Sequence, residues 1–312
     1  MAAGILAGAA ADALLGDPRR AHPVALFGRA AQAVQGRAYA DSRLRGTGYA
    51  TCCVLAVAVP GAIAARLTRR RPWLRLATTG AAVWTVTGAR SLTQEAERIA
   101  TALQAADLTA ARAALPNLCG RDPGRLDENE LARAVVESVA ENTSDAVVAP
   151  LVWGAIAGLP GLTGYRAINT LDAMVGYRSP KYERFGWCSA RLDDVVNWAP
   201  ARLTGLLTVA FCPAVGGSPA TAWRMMRRYG AQHPSPNAGW CEAAFAGALG
   251  VRLGGTNAYD GATEHRPVLG DGRTPEPEDI RRAVRLCRLV TIATTVAAAV
   301  MAGVGAAIEE KA

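Results

Sequence analysis

Apolar residues along this chain are gathered into long runs instead of being spaced as in a soluble core. The runs cover residues 1–16, 50–65, 74–89, 146–162, 203–215 and 289–308. A helix needs about 20 predominantly apolar residues to cross a bilayer, a length that the last run reaches and the second and third reach if their flanks contribute. The pattern predicts an all-α polytopic membrane protein with several transmembrane helices, re-entrant or amphipathic helices and polar active-site loops.

The segments between the runs are polar. Loops are predicted at 17–48, 165–197 and 216–288. Residues 91–145 are predicted to form an amphipathic helical region, and strand-like alternation is scarce throughout. Prolines and glycines in the runs at 146–162 and 203–215 indicate re-entrant or shallow segments buried against protein. We therefore expect a single integral-membrane domain over residues 1–312.

Composition agrees with a membrane protein and narrows the choice of partners. The mean hydropathy is +0.12, and the net charge of +8 comes almost wholly from arginine, since the only lysines are Lys181 and Lys311. The arginines are scattered among the loops between apolar runs, which favours lipid headgroups and anionic ligands and argues against nucleic acid. The seven cysteines form no CxxC pair, so neither a zinc site nor a disulfide framework is predicted.

Three acids follow one another at four-residue spacing just before the fourth apolar run. Glu137, Glu141 and Asp145 project from one face of a helix, because four residues advance a helix by little more than one turn. Crowded carboxylates resist joint ionisation unless a divalent cation or arginines neutralise them. One interpretation is a solvated face whose acids pair with Arg133 and its neighbours. The other is a functional site, which the added oxygen donors of Asn142 and the two residues after it favour.

A second group of oxygen donors occupies the polar segment 165–197. Its members are Asn169, Asp172, Asp193, Asp194 and Asn197. Their spacing lets carboxylates and amides converge on one hard cation such as Mg²⁺. Arginines of the kind that bind phosphate bracket the group, namely Arg166, Arg178, Arg184, Arg191 and Arg202. The residues alone support a metal and phosphate site and a buried salt-bridge network about equally.

Two shorter motifs are less specific. Asp17 and His22 belong to a turn rich in glycine and proline, where a lone histidine is more often a structural hydrogen-bonding group than a catalyst. Asn237 lies in a turn before a helix and is predicted to be its N-cap. Neither GxxxxGK[ST] nor a strand followed by GxGxxG is present, so any nucleotide chemistry uses another kind of site.

Four segments together resemble one known family. They are GDPRRAHPVALFGR, AVVESVAENTSDAVVAPLVWGAIAGLPG, YRAINTLDAMVGYRSPKYERFGWCSARLDDVVNWAPARLT and SPNAGWCEAAFAGALGVRLGG. In this order, from about residue 16 to residue 270, they resemble the CobD/CbiB family of cobalamin biosynthesis. The resemblance implies an integral-membrane ligase, an adenosylcobinamide-phosphate synthase. Such an enzyme joins adenosylcobyric acid to aminopropanol phosphate and uses ATP and Mg²⁺.

The resemblance also implies partners and a location. The partners are the corrinoid substrate adenosylcobyric acid, aminopropanol phosphate and the lipid bilayer. ATP and the corrinoid imply a multi-pass protein of the cell membrane with its active site on the cytoplasmic face. That orientation leaves the arginines at 69–71 outside, against the positive-inside tendency. The oligomeric state is open, with a homo-oligomer as one alternative.

We assign roles to the two groups of acids as a hypothesis. Glu137 or Glu141 is the base toward the amine, with Asp145 beside them, and Asp17 and His22 close the site from the N-terminal segment. The residues expected to hold the metal are Asp172, Asp193, Asp194 and Asn197. Those expected to bind substrate or nucleotide are Asn142, Arg166, Asn169, Arg178, Arg191 and Asn237. Rival hypotheses are a Mg²⁺-dependent transferase of the Asp-rich type and a membrane sensor that has lost turnover.

Overall fold

The computed structural model describes residues 1–18, 22–124, 126–177, 179–259 and 262–309. Its helices are α1 (Ala2–Leu15), α2 (Pro23–Ala38), α3 (Arg43–Thr68), α4 (Pro72–Val86), α5 (Ala89–Gln104), α6 (Leu108–Ala114), α7 (Glu128–Thr143), α8 (Ala149–Leu171), α9 (Trp187–Val196), α10 (Trp198–Phe211), α11 (Pro219–Tyr229), α12 (Ala238–Leu249) and α13 (Pro277–Glu309). Strands β1 (Leu253–Tyr259) and β2 (Ala262–Leu269) pair antiparallel. π-helical turns at Ser144–Val148 and Asp172–Gly176 continue α7 and α8.

Several helices are built to face lipid. Those in the described part of the chain that are long and apolar enough to cross a membrane lie at Arg43–Thr68, Glu128–Gly176, Trp198–Val215 and Pro277–Gly305. In the apolar 18-residue stretch of the first of these helices, only 17% of the residues are buried. Exposed apolar side chains recur every four residues, at Leu55, Val59, Ile63 and Leu67 on α3 and at Ile292, Val296, Val300 and Val304 on α13. Continuous apolar stripes of this length suit a bilayer. The predicted all-α polytopic membrane fold is confirmed.

The membrane segments differ in detail from the sequence expectation. The run at 74–89 forms only the 15 residues of α4, because Thr87 ends the helix in an extended conformation. At about 22 Å this helix is too short for a clean span. In the run at 146–162, Gly158 breaks α8 with φ 67° and ψ −150°, just before Pro160, the kind of interruption that its glycines and prolines predict. Shallow insertion of residues 203–215 stays a prediction.

The segments predicted as loops contain regular structure, so that prediction is wrong. Residues 17–48 include α2, residues 165–197 include α9, and residues 216–288 include α11, α12 and the β hairpin. α12 is made largely of alanine and glycine, so its sequence has no apolar stripe to detect. In β1 the positive φ angles of Gly254 and Gly255, 79° and 89°, accompany a bulge that interrupts the alternation expected of a strand.

The chain divides into two compact units, each assembled from separate stretches. The first contains Met1–Gly88, Ala149–Asn197 and Thr294–Ala312, and the second contains Ala89–Val148 and Trp198–Ala293. Within the first, α1 packs on α4 and α3 packs on α8. Within the second, α10 and α11 pack on α12, and a large apolar core joins α5, α7 and α12. The single domain predicted over 1–312 stays a prediction.

A pair of glycines on α3 provides a test of packing in the first unit. A Cβ on Gly46 would overlap the carbonyl oxygen of the buried Phe185, whereas a Cβ on Gly48 would meet no atom within 4 Å. We expect Gly46→Ala to lower the free energy of unfolding by about 1–3 kcal/mol through overpacking. The control Gly48→Ala should raise it by up to about 1 kcal/mol, because alanine is the better helix former. Thermal melting in one detergent measures both, and equal melting temperatures would contradict the close approach.

Candidate active site

α7 positions the three acids that were predicted to share a face. It begins at a capping box, in which Asp127 Oδ1 accepts from the N–H of Glu130 at 2.8 Å and Glu130 Oε2 accepts from the N–H of Asp127 at 3.0 Å. The helix then runs without a break into the π-helical turn Ser144–Val148. The helical conformation therefore lasts through Asp145. π turns of this kind are frequent at functional sites.

Both carboxylate oxygens of Glu137 accept hydrogen bonds from neighbouring groups in the second unit. Its Oε2 lies 2.6 Å from Arg121 Nη2, and its Oε1 accepts from the N–H of Gly254 at 2.6 Å. Arg133 Nε lies 4.0 Å from Oε1 as well. The pairing with arginines agrees with the first interpretation, but the face is buried and not solvated, because Glu137 is only 6% exposed. Glu141 is only partly buried, which makes it the better candidate for a base.

Sequence reasoning missed a buried carboxylate on α12 that belongs with these acids. Burial, and then the negative charges of Glu137 and Glu141, raise the pKa of Glu242 well above its usual range. Its Oε1 lies 3.6 Å from His233 Nε2, and both side chains are almost completely buried. The signal for this group was a lone acid inside an otherwise apolar helix, which is expensive to bury without a function or a partner.

Cys241 connects α12 to the third predicted acid. Its thiol donates to the carbonyl of Ala201 at 3.5 Å. Burial, and then the charge of Asp145, raise the pKa of this thiol well above its ordinary value, and Glu141 and Glu242 act in the same direction. The acids at positions 137, 141 and 145 therefore share one electrostatic environment with Glu242 in the second unit. We call Glu137, Glu141, Asp145 and Glu242 the acid cluster.

The protonation state of Glu242 can be tested by stability. A raised folded-state pKa means that the contribution of the neutral acid is complete below the unfolded-state pKa and is lost as the pH rises through the folded-state pKa. Glutamine has no proton to lose. Glu242→Gln should therefore melt like wild type below about pH 4, and above that pH it should become more stable than wild type by up to about 1.4 kcal/mol per pH unit. If Glu242 is instead ionised and paired with His233, the variant should lose about 3–5 kcal/mol.

Asn237 occupies the predicted N-cap position of α12, but its side chain makes no capping hydrogen bond and meets an arginine instead. Ser235 Oγ accepts from the N–H groups of Asn237 and Ala238 at 3.3 and 3.2 Å, so the serine supplies the side-chain hydrogen bonds at this end of the helix. Asn237 Oδ1 accepts from Arg202 Nη1 at 3.1 Å. The same guanidinium lies 4.5 Å from the ring centre of Trp198 and 4.7 Å from that of Trp240. On α7, Asn142 Nδ2 donates to the carbonyl of Ser138 at 2.9 Å.

The first unit gathers several of the other predicted residues around Asp193. Asp193 Oδ2 accepts from Asn197 Nδ2 at 2.9 Å, and Oδ1 accepts from Asn169 Nδ2 at 3.4 Å. The two amide oxygens accept from Tyr165 Oη at 2.9 Å and from Arg166 Nη1 at 3.4 Å. Burial, opposed by the two amide hydrogen bonds, raises the pKa of Asp193 to about 6. We call Asp193, Asn169 and Asn197 the aspartate network.

The remaining predicted metal and phosphate ligands have other surroundings. Asp194 Oδ2 lies 3.2 Å from Arg191 Nη1, with side chains 29% and 62% exposed. The Asp172 carboxylate covers the backbone of Gly176, and Arg178 lies outside the described residues. No group of three or more His, Cys, Asp or Glu side chains among the described residues is arranged to hold a metal ion. Asp193 and Asp194 offer carboxylate oxygens, the kind of donor that Mg²⁺ prefers, and a bound Mg²⁺ would complete its coordination with phosphate oxygens and waters.

The two residues from the N-terminal turn behave differently from each other. His22 Nδ1 accepts from the N–H of Val24 at 3.2 Å and caps α2, the structural role that is commoner for a lone histidine. Asp17 follows Gly16, whose carbonyl accepts from Trp84 Nε1 at 2.8 Å. Oδ1 of Asp17 is buried and has no hydrogen-bond partner in the part of the chain that the structure describes. An unsatisfied buried oxygen of this kind needs an explanation, and a bound ligand is one.

Known proteins share this sequence over nearly its whole length. A family model described as "CobD/Cbib protein" matches residues 5–287. The chain is 51% identical over 300 residues to the cobalamin biosynthesis protein CobD of Mycobacterium tuberculosis (strain ATCC 25618 / H37Rv), covering 96% of this chain and 95% of that one. It is 45% identical over 247 residues to CobD of Rhodobacter capsulatus, covering 79% and 77%. It is 44% identical over 302 residues to CobD of Chromobacterium violaceum, covering 94% and 95%. No solved structure matches the chain.

The lipid-facing helices and the polar clusters define a polytopic α-helical membrane protein with acids buried in its interior. The family match covers most of the chain, and the relatives share about half of its residues. The chain belongs to the CobD/CbiB family, as the four sequence segments indicate. Its role is in cobalamin biosynthesis.

Proposed function

We propose that this protein is an adenosylcobinamide-phosphate synthase. It joins the free propionate of adenosylcobyric acid to (R)-1-aminopropan-2-ol O-phosphate in an ATP-dependent amide-forming reaction. The observation that carries the proposal is the acid cluster, found in a chain of the CobD/CbiB family. Burial raises the pKa of Glu242 well above its usual range, and a carboxyl group with a raised pKa suits proton exchange with a substrate.

The proposed reaction has two covalent steps. A propionate oxygen attacks the γ-phosphorus of ATP, so that an acyl phosphate forms and ADP leaves. The amine nitrogen then attacks the acyl carbon, the C–N bond forms, and phosphate leaves with the former carboxylate oxygen. The proton of the amine passes to Glu141, which is preferred over Glu137 because the oxygens of Glu137 already accept from Arg121 and Gly254.

We propose that the aspartate network, which lies in the first unit, binds the nucleotide through Mg²⁺. Asp193 and Asp194 would hold Mg²⁺ together with the ATP phosphates, and Asn169 and Asn197 orient Asp193. When bound, the ion neutralises charge that develops on the transferred phosphoryl group. Guanidinium groups nearby suit the phosphate oxygens, as at Arg166 and Arg191. Because ATP and the corrinoid are soluble cytoplasmic compounds, we propose the cytoplasmic face of the cell membrane as the location of the site.

Reconstitution tests the proposed reaction directly. Purified protein in detergent is given adenosylcobyric acid, aminopropanol phosphate, ATP and Mg²⁺, and the amide is measured by mass spectrometry. A carboxylate labelled with ¹⁸O should deliver one labelled oxygen to inorganic phosphate. Label found in AMP would instead indicate an acyl adenylate and overturn the first step. Product formed without ATP, or with release of diphosphate from an allylic substrate, would favour the transferase alternative.

The substitution Asp194→Asn tests whether Asp194 is a metal ligand or a member of a structural ion pair. Its pair with Arg191 is exposed, and such pairs contribute only about 0–1 kcal/mol, so the melting temperature should stay near that of wild type. Turnover should nevertheless fall by about 100-fold or more if Asp194 holds Mg²⁺. Asp41→Asn is the control, because it also loses a single aspartate–arginine pair, with Arg184 at 3.6 Å, at a carboxylate that is 61% exposed. A badly destabilised Asp194→Asn variant would favour the salt-bridge interpretation.

A further inference from the structure

A cavity in the first unit lies at the C-terminal end of the lipid-facing helix α3. Its volume is about 390 Å³, within the range of small-molecule sites. The end of α3, the turn after it and the first half of α4 supply the polar wall, with Thr68, Arg69, Arg75 and Thr79. The broken part of α8, residues 154–159, supplies an apolar wall, where Gly158 takes its positive φ. The cavity therefore has one cationic side and one apolar side.

The cationic side has no acidic counterpart. The turn contains Arg69, Arg70 and Arg71, and Arg66 and Arg75 flank it at the end of α3 and the start of α4. The sequence has no acid between Asp41 and Glu95, and neither Arg69 nor Arg75 pairs with a carboxylate in the part of the chain that the structure describes. Arg75 is only partly exposed. A guanidinium held against a cavity wall without a carboxylate favours an anionic ligand, because a desolvated charge is costly when it is unpaired.

The position of the cavity on α3 indicates where that anion comes from. The exposed apolar stripe of α3 ends at Leu67, which is 74% exposed, and the arginines follow at once. Trp73 in the same turn is 67% exposed, and tryptophan beside arginine is typical of the level of lipid headgroups. Ile156 lines the cavity and is itself 61% exposed. A ligand in the cavity would therefore contact a wall that suits anions and, beside it, an apolar opening toward lipid.

We propose that this cavity binds the phosphate headgroup of an anionic phospholipid. Arg69 and Arg75 contact the phosphate oxygens, the buried hydroxyls of Thr68 and Thr79 lie on the same wall, and an acyl chain leaves past Ile156. The cavity lining includes no residue of the acid cluster or of the aspartate network, and the site requires neither ATP nor a corrinoid. It would hold a lipid against the broken part of α8.

The test uses full-length protein stripped of lipid in a neutral detergent. Native mass spectrometry and thermal melting are recorded with phosphatidylglycerol and with phosphatidylcholine of the same acyl chains, and with inorganic phosphate in a third arm. Phosphatidylglycerol should bind about tenfold or more tightly than phosphatidylcholine. Equal binding of the two lipids would overturn the anion site. Inorganic phosphate that stabilises as well as phosphatidylglycerol does would overturn the lipid as its source.

Arginine variants locate the binding. Arg69→Gln with Arg75→Gln should weaken phosphatidylglycerol binding about tenfold or more. Arg70→Gln with Arg71→Gln removes the same charge from the same turn, outside the cavity lining, and should stay within about twofold of wild type. Equal losses in the two pairs would mean diffuse attraction and overturn the site. Arg69→Gln alone, at an exposed position, repeats the measurement if the double variant fails to fold.

Discussion

Glu141→Gln is expected to lower the rate of amide formation by about 10²–10⁴-fold, the range that a positioned general base supplies. Glutamine keeps the shape of the side chain and loses only the proton acceptor. Because Glu141 is partly exposed and Glu137 already accepts two hydrogen bonds, the substitution should leave the fold and the binding of ATP with Mg²⁺ near wild type. Single-turnover kinetics with a Mg²⁺ titration of ATP binding measure both quantities.

The same Mg²⁺ titration distinguishes two roles for Glu141, a base toward the amine and a ligand of the cation. If Glu141 acts on the amine, acyl phosphate should still form in the variant and accumulate when the amine is added. If Glu141 instead holds the cation, the Mg²⁺ requirement should rise markedly, since hard cations prefer charged oxygens. That second outcome would overturn the base assignment. Glu95→Gln, which changes an acid of a surface pair on α5, is the control for a general loss of charge.

Arg121→Met is expected to destabilise the second unit by about 3–5 kcal/mol, because it leaves Glu137 buried without its closest cation. The two groups are 2.6 Å apart, with side chains 4% and 8% exposed. Arg98→Met is the matched control. It removes a partner that lies 3.7 Å from Glu95 and is 68% exposed, and such pairs contribute at most about 1 kcal/mol. Chemical denaturation in mixed micelles, followed by tryptophan fluorescence, gives the two free energies of unfolding.

A second substitution tests why Arg121 matters. Adding Glu137→Gln to Arg121→Met removes the stranded charge and should recover much of the lost stability. A double variant no more stable than Arg121→Met would show that the arginine acts through packing instead. A loss below about 1 kcal/mol for Arg121→Met alone would contradict the buried pair.

The sequence predicted those features that depend on neighbours along the chain. The spacing of Glu137, Glu141 and Asp145 predicted a shared helical environment, and their coupling to α12 agrees with it. The apolar runs predicted lipid-facing helices, which α3 and α13 display. Such local patterns follow from helical periodicity alone.

Other features depend on residues that are distant in sequence, and these could not be predicted. Glu242 joins the acids of α7 from about a hundred positions away, and nothing in its own segment names the partner. The orientation of Asn169 and Asn197 is likewise set by Tyr165 and Arg166. Their amides could have offered oxygens or N–H groups to Asp193, and only the surrounding donors decide between the two.

The interleaving of the two units governs the order in which the chain can fold during synthesis. The first unit takes its earliest part from residues up to Gly88 and its last part from Thr294 onward. At ordinary elongation rates about 10–40 s separate the release of these two stretches from the ribosome. The helices made first therefore remain incompletely packed in the bilayer while the second unit is synthesised. The part of α13 after Thr294 is therefore the last to pack into the first unit. Substitutions there should change the yield of inserted protein more than the rate at which the early helices insert.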